Sequence, residues 1–324
     1  MPISSGRPYA IDERHFATSV RALLLWAAGN PWLSTHVPQW SFVRRATKRF
    51  MPGDDFEAAL KAAVDFKARK IGAVFTRLGE NIRTLAEAAE VVEHYVTVLE
   101  SAAAAGVEPE ISVKPTQLGL DLDPDATFAN LNRLAEAAAG VKGFLWIDME
   151  GSAYTDRTLE LYNRLHGRHP AVGLCLQAYL YRTAADVYRL LSFKPSIRLV
   201  KGAYAEPADR AFPAKRDVDA NYLALCSLVL PDVSRKRVRL VLGTHDVALI
   251  ERIARFADAI GMDRRQLEVH MLYGIQSKQQ VRLAAEGYRV KDLIAYGDAW
   301  YAWYLRRLAE RPANVWFVAR QMLG

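Results

Sequence analysis

The sequence has few cysteines and lacks the glycine-rich loops that hold nucleotide phosphates. Only Cys175 and Cys226 occur among 324 residues, both in apolar surroundings. They predict buried free thiols in a reducing compartment and exclude a disulfide framework. No Gly-x-Gly-x-x-Gly turn follows the first predicted strand, which disfavours a dinucleotide-binding fold. Neither a Gly-x-x-x-x-Gly-Lys loop nor a Gly-x-Ser-x-Gly elbow is present.

Long apolar runs are also missing. The strongest early run, residues 22–28, is far too short to span a bilayer, and no secretory signal is evident. We therefore expect a cytoplasmic protein. A peripheral contact with the inner face of the cytoplasmic membrane stays open, with a helical arm packed on the main domain as the alternative. The aromatic and basic residues that suggest this contact are Trp26, Trp32, Trp40, Phe42, Arg44, Arg45, Lys48 and Arg49.

Neither the net charge nor the acidic residues indicate a nucleic-acid or metal site. The net charge is +7, and the basic residues are scattered, which favours solvated helix faces, an anionic substrate or a cofactor phosphate over nucleic acid. Asp121, Asp123 and Asp125 resemble the start of a calcium loop, but Ala126 and Asn132 occupy its sixth and twelfth positions. A capped turn before a helix is the better interpretation, and we predict no metal.

Eight short apolar segments alternate with helical segments along most of the chain. The predicted strands are residues 70–78, 110–118, 143–149, 171–180, 196–204, 237–245, 266–273 and 288–296. The predicted helices are residues 80–105, 125–139, 156–166, 183–191, 218–230, 247–260, 277–286 and 298–322, with N-caps at Asp125, Thr183, Asp246 and Ser277. Eight alternating units predict a TIM-like (βα)8 barrel over residues 51–324, preceded by a helical arm over residues 1–50. An open doubly wound sheet is the alternative.

The predicted strands end in polar residues, at the face where barrel enzymes place their catalytic groups. The segment from Arg198 to Tyr204 is the most informative, because it combines two cations with Gly202, which permits close approach to a flat or anionic ligand. Such ends predict a concave, charged site. They are Lys114, Asp148, Glu150, Gln177, Arg198, Lys201, Thr244, His245, His270 and Tyr296.

Four motifs occur in a fixed order in the second half of the chain. They are residues 198–204 (Arg-Leu-Val-Lys-Gly-Ala-Tyr), 244–246 (Thr-His-Asp), 271–274 (Met-Leu-Tyr-Gly), and 296–297 (Tyr-Gly) followed by 306–312 (Arg-Arg-Leu-Ala-Glu-Arg-Pro). With these motifs the chain resembles the proline dehydrogenase family, flavin-dependent barrels that oxidise L-proline to Δ1-pyrroline-5-carboxylate. It is most similar to the compact monofunctional bacterial form, since no aldehyde dehydrogenase domain follows.

The resemblance implies FAD as cofactor, L-proline as substrate and a membrane quinone as electron acceptor, with hydride passing to flavin N5. It implies catalytic roles for Asp148 and Arg198, with Arg198 near N5, while a buried structural ion pair between these two is the competing role. The oligomeric state stays open. The implied flavin contacts are Met149, Gln177, Arg198, Val200, Lys201, Gly202, Ala203, Thr244, His245 and His270.

The resemblance also implies a last helix that crosses the barrel mouth and binds the substrate. Arg306 and Arg307 on this helix, with Lys114, clamp the proline carboxylate, because paired arginines offer two-pronged donors. Glu310 lies one turn beyond Arg306 and orients it. The implied apolar wall over the ring consists of Tyr204, Leu272, Tyr296 and Trp303.

Four positions depart from the family pattern. Trp303 stands where tyrosine is expected, Ala205 where several relatives have tryptophan, His270 where glutamine is common and Gln276 where arginine is common. Trp303 leaves open a dehydrogenase of another cyclic amino acid. A flavin-binding or ligand-sensing barrel without turnover is a further alternative, which the intact set of clamp and catalytic residues argues against.

Overall fold

A computed structural model describes residues 26–27, 30–37, 50–79, 82–301 and 305. The chain divides into two compact units, Phe50–Gly297 and a second formed by Met1–Arg49 with Asp298–Gly324. The described part of the second unit contains helix α1 (Pro31–His36). None of the described helices combines the length and apolar character needed to cross a membrane. The predicted helix over residues 298–322 falls almost wholly outside the described residues, so its place across the barrel mouth stays a prediction.

The unit Phe50–Gly297 is a closed barrel of eight parallel strands, which confirms the predicted TIM-like fold. Each strand pairs with the next in chain order, and β8 closes the barrel against β1 over seven residue pairs, from Ile71 with Val290 to Arg77 with Tyr296. The strands are β1 (Ile71–Arg77), β2 (Glu110–Val113), β3 (Phe144–Ile147), β4 (Val172–Gln177), β5 (Ser196–Val200), β6 (Arg239–Gly243), β7 (Glu268–Leu272) and β8 (Arg289–Tyr296).

Helices surround the strands because each presents an apolar stripe to them. On α3 (Leu85–Ala104), for example, Val92, Tyr95 and Leu99 recur at helical spacing and are buried in the main core. Helix α2 (Phe56–Lys67) precedes β1. The helices between successive strands are α3 (Leu85–Ala104), α4 (Pro124–Gly140), α5 (Thr155–His166), α6 (Thr183–Leu190), α7 (Lys215–Ser234), α8 (Val247–Ala259) and α9 (Ser277–Ala285).

Most of the predicted N-caps are wrong by one or two residues. Asp246 caps α8 as predicted, and its carboxylate accepts a hydrogen bond from a first-turn amide at 3.2 Å. Asp123, rather than Asp125, caps α4, because a proline occupies the first helical position and moves the cap earlier. Thr183 and Ser277 are themselves the first helical residues of α6 and α9.

Several strands end earlier than the sequence predicted, and this changes the geometry after β5. The strand stops at Val200, so residues 201–204 belong to a loop at the barrel mouth, where strand alternation no longer decides which way side chains point. Gly202 has a φ of +123°, and a Cβ atom there would lie 2.4 Å from the ring of Tyr179. Glycine is therefore required for this loop conformation and for the packing of that ring.

Candidate active site

Arg198 lies at the centre of the predicted site and is nearly completely buried. Its Nη2 atom donates to Ser112 Oγ at 2.6 Å and to Asp148 Oδ1, and Ser112 Oγ donates to the same carboxylate oxygen at 2.9 Å. Burial alone would lower the pKa of Arg198, but Asp148 and the Cys175 thiol together outweigh it and raise that pKa. The two residues predicted to be catalytic are thus joined across the barrel interior.

The second terminal nitrogen of Arg198, Nη1, is also buried. It has no hydrogen-bond acceptor in the part of the chain that the structure describes. A buried guanidinium N–H without an acceptor carries a large free-energy cost, which a ligand oxygen or nitrogen can remove. This donor is therefore available to a bound molecule.

Lys201 follows β5 and is held by two carboxylates. Its Nζ atom lies 2.5 Å from Asp219 Oδ1 on α7 and 2.7 Å from Asp246 Oδ2 at the start of α8. Burial would raise the pKa of Asp246, but Lys201, the Leu249 amide and Lys215 together outweigh it and lower that pKa to about 2. An ammonium has three protons, so one N–H of Lys201 remains beyond these two contacts. Sequence reasoning missed Asp219, although its position four residues after Lys215 on a helix was a usable signal.

A small polar cavity of about 110 Å³ includes Tyr204 and Glu150 in its wall. The Glu150 carboxylate accepts hydrogen bonds from the Thr116 amide at 3.1 Å and the Thr116 hydroxyl at 2.6 Å, and burial raises its pKa. The Gln177 side chain donates to the Glu150 carbonyl at 2.8 Å. In the sequence Glu150 was only one of several polar residues at predicted strand ends. The structure places it in the wall of the same cavity as the predicted substrate residue Tyr204.

The predicted cofactor residue His245 ties the end of β6 to that of β7, and its neighbour Thr244 makes a contact within the loop after β6. His245 Nε2 accepts a hydrogen bond from the Leu272 amide at 3.4 Å. Thr244 Oγ1 accepts one from the Asp246 amide at 3.1 Å. Both contacts fix the loop between β6 and α8 at the barrel mouth.

His270 belongs to a buried network of charges in the barrel interior. Its Nε2 atom lies 2.9 Å from Glu268 Oε1, and burial lowers its pKa although Glu268 opposes this. Arg239 pairs with Glu268 at 2.5 Å and with Glu110 at 2.8 Å, and Lys291 pairs with Glu110 at 2.8 Å. One ligand atom each from Glu110, Glu268 and His270 falls within 4.8 Å of the others, a spacing that could suit a metal ion, but two cations already neutralise the carboxylates.

Tyr296 does not lie where the sequence analysis predicted. Its hydroxyl is 2.8 Å from His94 Nε2 and its ring centroid is 5.6 Å from that of Phe56, both on helices outside the barrel. Alternation along β8 turns this side chain away from the interior. The prediction that Tyr296 contacts the substrate is therefore wrong. Met149 is likewise buried in the main core cluster.

Other predicted site residues lie at strand ends or in the loops that follow, and their roles stay predictions. Val200 ends β5 beside Gly243, Ala203 is exposed in the following loop, and Lys114 directly follows β2. The remaining residues of the carboxylate clamp and ring wall lie outside the described residues, and their roles stay predictions. They are Trp303, Arg306, Arg307 and Glu310.

Comparison with known proteins identifies the family. A family model described as proline dehydrogenase matches residues 59–320. The chain belongs to the proline dehydrogenase family. The proline dehydrogenase of Deinococcus radiodurans is 39% identical over 281 residues, which cover 85% of this chain and 89% of that protein. Proline dehydrogenase 2 of Bacillus subtilis is 32% identical over 302 residues, covering 93% and 98% respectively.

Solved structures with the same fold are much longer chains. Proline utilization A (PutA) from Bdellovibrio bacteriovorus, inactivated by N-propargylglycine, matches with a TM-score of 0.78 and 21% identity over 93% of this chain and 37% of that one. PutA from Corynebacterium freiburgense matches with a TM-score of 0.72 and 21% identity over 98% and 35%. The chain thus spans about a third of these proteins, and the likeness to them concerns the barrel fold.

Proposed function

We propose that this chain is an FAD-dependent proline dehydrogenase, which oxidises L-proline to Δ1-pyrroline-5-carboxylate and passes the electrons to a membrane quinone. Family membership supports the reaction class. The observation that carries the site assignment is Arg198, a buried cation held by Asp148 and Ser112, with its Nη1 atom left without an acceptor among the described residues.

The donors near the mouth fit a flavin. Arg198 Nη1 needs an acceptor, and the Lys201 ammonium, which has three N–H groups, contacts two of the described carboxylates. When bound, FAD supplies a ring that accepts hydride from the substrate. The residues that we propose to hold it are Gln177, Arg198, Val200, Lys201, Gly202, Ala203, Thr244, His245 and His270.

The chain's own residues contribute positioning and charge. Arg198 offers a fixed positive charge that stabilises negative charge developing nearby, and Asp148 keeps it in place without reorganisation. Burial of Arg198 excludes water and thereby strengthens this effect. We propose that Lys114, Arg306 and Arg307 hold the substrate carboxylate, so that the substrate binds in one orientation.

The assignment can be tested by the visible spectrum of the purified protein. Anaerobic addition of L-proline should bleach the yellow flavin colour, and a quinone should restore it. Bleaching only by another cyclic amino acid would support the alternative substrate that Trp303 suggests. Colour that persists with every such amine would indicate a ligand-sensing barrel, and a protein unable to take up FAD would refute the proposal.

The proposed carboxylate clamp can be tested separately with Arg307→Ala. This change removes a charge-assisted hydrogen bond to the substrate, so KM for L-proline should rise steeply. Arg216→Ala is a suitable control, because Arg216 is an exposed arginine on α7. An unchanged KM in Arg307→Ala would place Arg307 outside the site.

We also propose a peripheral membrane contact, through which the quinone is reached. Trp26 and Trp32 are exposed, as an interfacial role requires. In a flotation assay, the protein should be recovered together with vesicles that contain anionic lipid. A double variant with Trp26→Ser and Trp32→Ser should be recovered with the vesicles in a smaller amount. Equal recovery of the unchanged protein and the double variant would show that Trp26 and Trp32 do not contribute to the membrane contact.

A further inference from the structure

We propose that Trp146 is a positioning residue for Arg198: its indole ring fixes the plane of the guanidinium and so determines how strongly that cation acts on the bound flavin. The inference rests on the proposed function, since it concerns the electrostatics of the same site. Trp146 lies on β3, is completely buried and faces the barrel interior.

Two guanidinium groups lie over the indole ring. Arg198 Cζ lies 5.1 Å from the ring centroid and Arg239 Cζ lies 5.0 Å from it, distances at which cations interact with an aromatic face. The indole N–H donates to Glu110 Oε2 at 3.1 Å, and the ring of His270 meets the indole edge-on at 5.7 Å. The ring is thereby fixed at its edge and on its face.

The strand next to β3 makes room for this ring. Gly173 pairs with Trp146 in the β3–β4 register, and a Cβ atom on Gly173 would lie 2.4 Å from indole Cζ3 and 2.6 Å from Cε3. Residue 173 is the second residue of the regular strand β4, so glycine is needed there for space. The Gly173 position is an independent indication that the barrel interior is built around an indole at 146.

The polar contacts of Arg198 do not by themselves fix its orientation. Both described hydrogen bonds use one nitrogen, Nη2, while Nη1 has no acceptor within the described ranges. Apart from its covalent attachment at Nε and an interaction with the buried Cys175 thiol, no described polar contact holds the Nη1 side of the guanidinium. Contact with the indole restricts the Nη1 side further, because the cation is attracted to the ring face and excluded from the space that the ring fills.

The test compares Trp146→Leu and Trp146→Phe with the unchanged protein, each loaded with FAD. A less well placed Arg198 stabilises the reduced, negatively charged flavin less, so the midpoint potential of FAD should fall in Trp146→Leu. We expect kcat to fall about tenfold and KM for L-proline to change less than twofold, since the carboxylate clamp is not altered. Trp146→Phe keeps an aromatic face but loses the N–H to Glu110, and its values should be intermediate.

Two further variants keep the test decisive. Gly173→Ala displaces the indole without removing it and should shift the potential in the same direction, even if Trp146→Leu fails to fold. Leu134→Ala opens a cavity in the fully buried face of α4, away from Arg198, and should lower stability without changing the potential. Unchanged potentials in Trp146→Phe and Gly173→Ala would overturn the inference. A failure of the proposed function would be visible already in the unchanged protein, which would not bind FAD or would not be reduced by L-proline.

Discussion

Asp292 carries a buried carboxyl group whose replacement should make the protein more stable at neutral pH. The residue lies in the middle of β8 and is completely buried, and neither of its oxygens has a hydrogen-bond partner in the described part of the chain. The nearby amide of Gln280 on α9 donates to two backbone carbonyls. Burial raises the pKa of Asp292 well above its ordinary value, so the folded protein keeps the carboxyl proton to a higher pH than the unfolded chain does.

The effect of this proton on the free energy of unfolding follows from the linkage between protonation and folding. The unfolded chain ionises Asp292 at about pH 4, whereas the folded chain keeps the proton, so stability falls as pH rises above that value. Each pH unit costs about 1.4 kcal/mol for as long as the folded form remains protonated. Over the pH range in which the folded form keeps the proton, each unit above pH 4 should therefore lower Tm by roughly 3–6 °C for a domain of this size.

Asp292→Asn has nearly the same shape and cannot ionise. Urea unfolding of both proteins at several pH values between 4 and 7 should therefore show a difference in the free energy of unfolding that grows with pH in favour of Asp292→Asn. Asp258→Asn is a matched control, because Asp258 lies at the surface beside Arg264. A difference for Asp292→Asn that stays constant across this range would show that the carboxyl is not protonated in the folded state.

Three further predictions concern the site. Asp148→Ala should destabilise the barrel by about 3–5 kcal/mol in urea unfolding, because it leaves the Arg198 charge buried without its partner, and a loss below about 1 kcal/mol would contradict this. Gly202→Ala should weaken FAD binding and lower Tm by several degrees, since its Cβ collides with a ring and its φ is strained; unchanged flavin fluorescence titrations would speak against it. Asp246 stabilises the fold above its unfolded pKa of about 4. This contribution should vanish as pH falls towards its folded pKa of about 2. Acid unfolding curves of Asp246→Asn should therefore lack this loss of stability.

The order of strands and helices could be predicted from the sequence because apolar runs and helical spacing are local signals. The predicted ends of the strands were less accurate, and this error changes the interpretation of Lys201. The prediction extended β5 to residue 204, whereas the strand stops at Val200 and Lys201 turns to Asp219 and Asp246. These two carboxylates lie 18 and 45 residues later in the chain, and no local pattern links them to Lys201.

Tyr296 shows a second limit of the sequence. A polar aromatic residue at the end of the last strand fits a ligand wall as well as it fits a buried contact, and composition alone does not decide between them. The register of β8 decides between these two roles, because Ala295 and Tyr296 point to opposite faces of the strand and a shift by one residue would exchange them. Trp146 was missed for a similar reason, because its importance depends on Arg198, Arg239 and Gly173, which come from three other strands.

The pairing between β1 and β8 bears on how the chain reaches its folded state during synthesis. These strands form seven residue pairs, while β1 and β2 share a single pair, Phe75 with Ile111. Ile71 pairs with Val290, 219 positions later. The main pairing partner of β1, strand β8, is therefore synthesised only after nearly the whole barrel sequence. Contacts of such long range slow folding and leave strand edges uncovered meanwhile. A nascent chain that lacks β8 therefore carries one exposed edge on β1, and this edge is where chaperone binding or aggregation of truncated products should concentrate.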